Sequence, residues 1–144
     1  MTVNNSNFNY PTSGLNNTAE YMASGLPWAS ASQATVTPYK ISFPFVTNEI
    51  IIRNGGAAAS PALRIGFTTN GVNGVNYLSV GPTEHVTLRI RVKEIYVRSE
   101  SSTQNWSICA GLTQIPVRGF PTLSGSYTYN QAITASVYGY NGLG

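Results

Sequence analysis

Alternation of apolar and polar residues begins at Tyr39, where Tyr39, Ile41, Phe43 and Phe45 share one parity and Lys40 and Ser42 take the other. A period of two is the mark of a strand with one buried face. Pro44 interrupts the run and marks an edge or bulge, because proline has no N–H to give a ladder. Residues 49–53 are a short apolar run bounded by Asn48 and by Asn54-Gly55-Gly56, and they predict a strand buried on both sides. Residues 57–61 have side chains too small, and a proline too near, for a stable helix, so they predict a loop. Leu63, Ile65 and Phe67 then point inward, and Asn70-Gly71-Val72-Asn73-Gly74 predicts a hairpin built on primed turns, leading into a strand over 75–80. The longest predicted strand runs over 84–98. Within it Leu88, Ile90 and Val92 share even parity, whereas Ile95 and Val97 share odd parity, so a bulge or corner is required between Lys93 and Glu94. Trp106, Ile108, Ala110 and Leu112 supply another inward face, ended by Pro116.

The flanks lack this pattern. Residues 1–38 show no sustained period and carry Pro11, Pro27 and Pro38, which predicts an extended N-terminal arm with one helical turn conceivable near residues 18–24. Residues 119–144 hold two weakly alternating segments, 126–130 and 133–140, that suit edge strands or a C-terminal arm. The whole predicts an all-β protein: an antiparallel β-sandwich, jelly-roll-like, of seven to nine short strands over residues 39–118, with an arm on each side. A small β-barrel is the alternative, because hydrophobic period does not say whether a sheet closes.

Composition changes the picture in the flanks. The chain has no Asp and five Glu, and 9% of its residues are charged, against about 25% in an average soluble domain. Of its thirteen charged residues only Glu20 lies outside Lys40–Arg118. Disordered tails stay soluble through charge and a lack of aromatics, yet these neutral flanks carry Phe8, Tyr10, Tyr21 and Trp28 at one end and Phe120, Tyr127, Tyr129, Tyr138 and Tyr140 at the other. Such segments are suited to being covered, by the domain's own core or by a neighbouring subunit. On the second reading Phe8, Tyr10, Trp28, Tyr138 and Tyr140 are partner-binding candidates. The formal charge of +3 is too modest to predict direct nucleic-acid binding. The single Cys109 excludes an internal disulfide and suits a reducing compartment. No basic, apolar leader opens the sequence and no apolar run approaches the roughly 18 residues of a membrane span, so manufacture in a host cytoplasm without a membrane partner is expected.

Chemistry has few groups to work with. Glu84 and His85 are neighbours, and adjacent strand residues leave opposite faces, which separates them as an acid/base pair. A nucleophilic dyad of His85 with Cys109 is formally possible across strands. Zinc and calcium sites recruit three or more His, Cys or carboxylate ligands, and Gly55-Gly56 lacks the Lys-Ser/Thr of a phosphate loop. The expectation is therefore no enzyme, no catalytic residue, no cofactor and no metal. The one concentration of charge is Arg89, Arg91 and Lys93, which would form a basic stripe about 13 Å long on the outward face of a strand. It suits a solvated face or, since guanidinium groups bind carboxylates in bidentate fashion, an acidic partner. Tyr138-Gly139-Tyr140 would equally suit stacking on a sugar ring, which makes a carbohydrate- or receptor-binding module of a viral fibre the second functional class.

The stretch from Leu63 through Thr68, Asn70, Gly71, Asn73 and Gly74 to Leu78, followed by Val86-Thr87-Leu88-Arg89-Ile90-Arg91-Val92-Lys93-Glu94-Ile95-Tyr96-Val97, resembles the small auxiliary capsid proteins of tailed bacteriophages, the decoration or cement proteins. That resemblance implies a β-rich module without catalytic residues. It would sit on the outer surface of the capsid, form trimers or other homo-oligomers, and bridge subunits of the major capsid protein against internal DNA pressure.

Overall fold

The structure, a computed structural model, describes residues 26–124, 137–139 and 142–144. Ten strands lie within them: β1 (Leu26–Ala34), β2 (Tyr39–Ser42), β3 (Phe45–Asn54), β4 (Leu63–Gly66), β5 (Leu78–Val80), β6 (His85–Leu88), β7 (Glu94–Ser99), β8 (Gln104–Pro116), β9 (Thr122–Ser124) and β10 (Val137–Gly139). Eight of these form two four-stranded antiparallel sheets, a first in the order β1-β8-β3-β6 and a second in the order β2-β7-β4-β5. A short parallel pair, β9 with β10, stands apart from both. The sheets remain separate, which excludes the barrel alternative.

The strand pairs are nested. β4 pairs with β5, β3 with β6, β2 with β7 and β1 with β8, as in one long hairpin whose apex lies between β4 and β5. Successive rungs of that hairpin fall alternately in the second and first sheets, so every connection except β4 to β5 crosses between them. This is the wrapping of a jelly roll. Ile50, Ile52, Trp106, Ile108 and Ala110 of the first sheet meet Ile41, Leu63, Ile65, Ile95 and Val97 of the second in one continuous core.

Several expectations need correction. Leu26–Ala34, assigned to the arm over residues 1–38, is a strand of the first sheet, and its partners run from Leu112 to Gln104. Residues 1–25 lie outside the described residues, as do 125–136. The run at 49–53 is buried on one face only, since Ile50 and Ile52 are fully covered while Ile51 keeps 37% of its surface. The Asn-Gly segment does not form primed turns. Residues Thr69–Asn73 make a short helical turn, α1, capped by Thr68, whose Oγ1 accepts from the Gly71 N–H at 2.9 Å. The same hydroxyl donates to Leu143 O at 2.5 Å, so a residue distant in sequence fixes the turn. The long strand predicted over 84–98 is two strands. Residues 89–93 cross from the first sheet to the second, which meets the parity flip as a change of sheet.

Polar residues pin this frame where the chain changes sheet. Thr47 is fully buried; its Oγ1 donates to Ile90 O at 2.9 Å and accepts from the Val92 N–H at 3.1 Å, anchoring the crossover. Asn54, also buried, donates to Pro61 O and Val80 O at 3.1 Å each, and its Oδ1 accepts from the Gly56 N–H at 3.0 Å and from Gln104 Nε2. Every hydrogen-bonding position of that amide is used. It joins the end of β3 to the last residue of β5 in the opposite sheet.

Candidate interaction surface

Cross-strand partners share a face, so the registers show what each sheet presents outward. In the first sheet Ala29, Cys109, Ile51 and Thr87 lie in one row, and Ala31, Ser107, Arg53 and His85 in the next. A third row holds Pro27, Gly111 and Glu49. Toward β1 and β8 this face is uncharged and, apart from exposed Gln33 opposite Asn105, made of small side chains; charge appears only toward β3 and β6. His85 and Cys109 stand on strands separated by β3, roughly 10 Å apart across the sheet, so the fold does not bring that dyad together.

The second sheet presents a different face. Lys40 lies opposite Tyr96, and Ser42 opposite Glu94. Lys40 Nζ meets Glu94 Oε2 at 2.6 Å, and Arg64 Nε meets Glu100 Oε1 at 3.4 Å. The Arg64 guanidinium also lies over the Tyr77 ring at 4.3 Å, and Arg98 Nε donates to Val36 O at 2.7 Å. The Glu94 carboxylate, through its hydrogen bond first and its charge second, holds the Lys40 ammonium above the ordinary lysine range, with partial burial opposing. Charge here is answered within the chain.

The basic stripe is placed otherwise than the sequence predicts. Arg89, Arg91 and Lys93 sit on the crossover and not on a strand face. Arg89 is 85% exposed and meets Glu49 at 3.3 Å. Lys93 Nζ donates to Thr122 Oγ1 at 3.0 Å and Phe120 O at 3.4 Å, tying down the segment that leads to β9. Beside them is a shallow cleft floored by Phe67, Ile90, Phe120 and Leu123, into which Leu143 packs with 2% of its surface exposed. Residues 142–144 thus fold back on their own domain.

The aromatic candidates divide. Trp28 is half-buried on β1, its ring edge-on to Phe43 at 5.0 Å between centroids, so it belongs to the domain's own core. Tyr138 lies on β10, opposite Leu123 of β9. Phe8, Tyr10 and Tyr140 lie outside the described residues.

The feature that sequence reasoning missed is the edge of β1. The other three edges of the two four-stranded sheets are short: β2 and β6 have four residues and β5 three, whereas β1 has nine and no charged side chain. Short strands and charge are the usual protections of an edge. The direction of its backbone groups follows from the ladder. Asn54 gives its N–H to Glu84 O, on the β6 side, and Gly55 gives its own to Asn105 O, on the β8 side, both at 2.9 Å. In-plane direction alternates along a strand, so Ile51 and Arg53 bond toward β8 through their partners Cys109 and Ser107. The even residues of β8 therefore bond toward β1, to Trp28, Ser30 and Ser32. The N–H and C=O groups of Ala29, Ala31 and Gln33, with the carbonyl of Pro27, face away from β8. Pro27 falls where its missing N–H costs the sheet nothing.

Among the described residues no three His, Cys, Asp or Glu side chains gather as a metal site, and no helix is long and apolar enough to cross a membrane. No protein-family model and no curated protein matches the chain.

Proposed function

We propose that this protein is a structural component of a virus particle, an auxiliary subunit that binds the outer surface of a phage capsid and decorates or cements the major capsid protein, with copies of itself as a second partner. The observation that carries the reading is the contrast on the surface of the jelly roll: a neutral, mostly small-residue region of one sheet face, bounded by a long uncharged edge, opposite a face whose charges are already bonded within the chain. Jelly rolls are used for capsid subunits and for lectins, and fold alone does not choose between them. The neutral face, without charged side chains along β1 and β8, favours contact with another protein surface over a sugar, because sugars are commonly held in concave sites with convergent polar groups.

Co-sedimentation of the purified chain with expanded, undecorated phage capsids tests the proposal. Saturable binding with a fixed number of copies per capsid is expected. Free chain at every ratio, combined with retention on a glycan array, would replace the capsid reading with the carbohydrate-binding one.

A further inference from the structure

We infer that β1 is a self-pairing edge: two copies of this chain join their first sheets antiparallel across a two-fold axis at Ser30, making one eight-stranded sheet. The inference takes from the preceding section only the premise that the chain meets copies of itself, and failure to bind capsids would leave it standing.

The argument begins with parity. In an antiparallel pair centred on Ser30, Ala29 lies opposite the partner copy's Ala31, Trp28 opposite Ser32, and Pro27 opposite Gln33. Odd residues meet odd and even meet even, so the core-facing row of one sheet continues into the core-facing row of the other. The odd residues are also those whose backbone groups point to the open edge. Ala29 and Ala31 thus exchange two hydrogen bonds on each side of the axis, and the Pro27 carbonyl accepts from the Gln33 N–H. Proline's lack of a donor falls near the end of the ladder, where it removes least.

Side chains agree with the backbone. The outward residues nearest the axis, Ala29 and Ala31, are small and exposed, so a neighbouring strand meets no steric or charge barrier. The large Trp28 faces Ser32 and not its own copy, which pairs bulk with space. Like charges opposite one another are a common obstacle to self-pairing, and residues 26–34 have no charge to oppose. A sheet edge is read mainly through main-chain hydrogen bonds, with side chains setting register. Isologous pairing of this kind closes at two copies, so of the trimers or other homo-oligomers that the resemblance implies, the unit is a dimer or a multiple of dimers.

The register supplies the test. Ser30 opposite Ser30 is a non-hydrogen-bonded pair, with Cα atoms about 4.5 Å apart, a separation that a disulfide spans. In a Cys109→Ser background of the full chain, mild oxidation of Ser30→Cys is expected to give a covalent dimer on a non-reducing gel, and oxidation of Ser32→Cys much less of it. Sedimentation velocity of the unaltered chain is expected to show a dimer that Ala31→Pro returns to monomer, because that substitution deletes an N–H that faces away from β8 and toward the partner copy. Circular dichroism checks that the proline variant keeps its sheet content. If it does not, the cysteine pair alone decides the register. A monomer throughout the micromolar range, a trimer, equal cross-linking by both cysteines, or a dimer unchanged by a folded Ala31→Pro would each overturn the inference.

Discussion

The two outer faces of this sandwich rest on one core and spend their polarity in opposite ways. The second sheet's face carries Lys40, Glu94, Arg64, Glu100 and Arg98, and every one of them is bonded within the chain. The first sheet's face carries Ala29, Ala31, Ser107, Cys109 and Gly111 across β1 and β8, with no charge to satisfy. A face of paired charges keeps its water, since removing it would cost desolvation that the existing pairs do not return. A face of small neutral residues gives water up readily and conforms to a flat partner. Strand order, and not total charge, is what separates the two, because it gathers the uncharged stretch 26–34 and the uncharged stretch 104–116 side by side.

The strongest way to break this contrast is to unfasten the sheets. Asn54→Ala leaves the Gly56 N–H and the Gln104 amide without their acceptor and the Pro61 and Val80 carbonyls without their donor, at a cost of about 3 kcal/mol. A lower denaturant midpoint at unchanged slope is expected. A change under about 0.5 kcal/mol would mean that water replaces the amide without loss.

Trp28→Ala sharpens the comparison at the edge of the first sheet. Loss of the half-buried ring and its contact with Phe43 is expected to cost about 2 kcal/mol, read from the same denaturant curve. Unchanged stability would return Trp28 to the role of a partner anchor with no place in the core.

The smallest effect lies on the second face. Lys40 is half-exposed, so its pair with Glu94 contributes under about 1 kcal/mol. Because the folded lysine is held above its ordinary range, the contribution is complete below the unfolded value of about 10.4 and is lost as pH rises through the folded one. Glu94→Gln should remove that alkaline fall in stability while leaving neutral-pH stability almost unchanged, measured by melts between neutral and strongly alkaline pH. A steeper alkaline fall in the variant would contradict the pairing.

How far the sequence reveals these features depends on how local their causes are. Ile41, Phe43, Leu63, Ile65, Trp106 and Ile108 are buried in alternation as their spacing implies, because each sheet has one covered face and large residues mark it. β1 escapes notice because Ala and Ser alternate from Ala29 to Ser32, so period two is present there without hydrophobic contrast, and Pro27 reads as a breaker when it stands at the open edge. The turn at Thr69–Asn73 is set by Thr68 and by Leu143, and no local rule weighs a partner so far along the chain. The flip between Lys93 and Glu94 is legible from parity alone. Its form as a crossover depends on Thr47, which lies on another strand. Charge confinement to residues 40–118 points toward neutral flanks as contact regions, yet edge status follows from strand order, which only the assembled sheets reveal.

Nesting also sets an order in time. Closing a loop costs entropy that rises with its length, so the pair at the apex, β4 with β5, closes most cheaply, and each rung laid down shortens the loop left for the next. Leu26 and Leu112, at the far end of the last rung, are the most distant partners in the roll. The outermost strand is therefore expected to zip onto an existing sheet at the close of folding. Pulse-labelled amides of β1 should become protected after those of β4, and the reverse order would rule out zipping from the apex. Until that final step the edge of β8 stands open to any free strand, so a newly made chain passes through a window in which its closest competitor is the first strand of another copy.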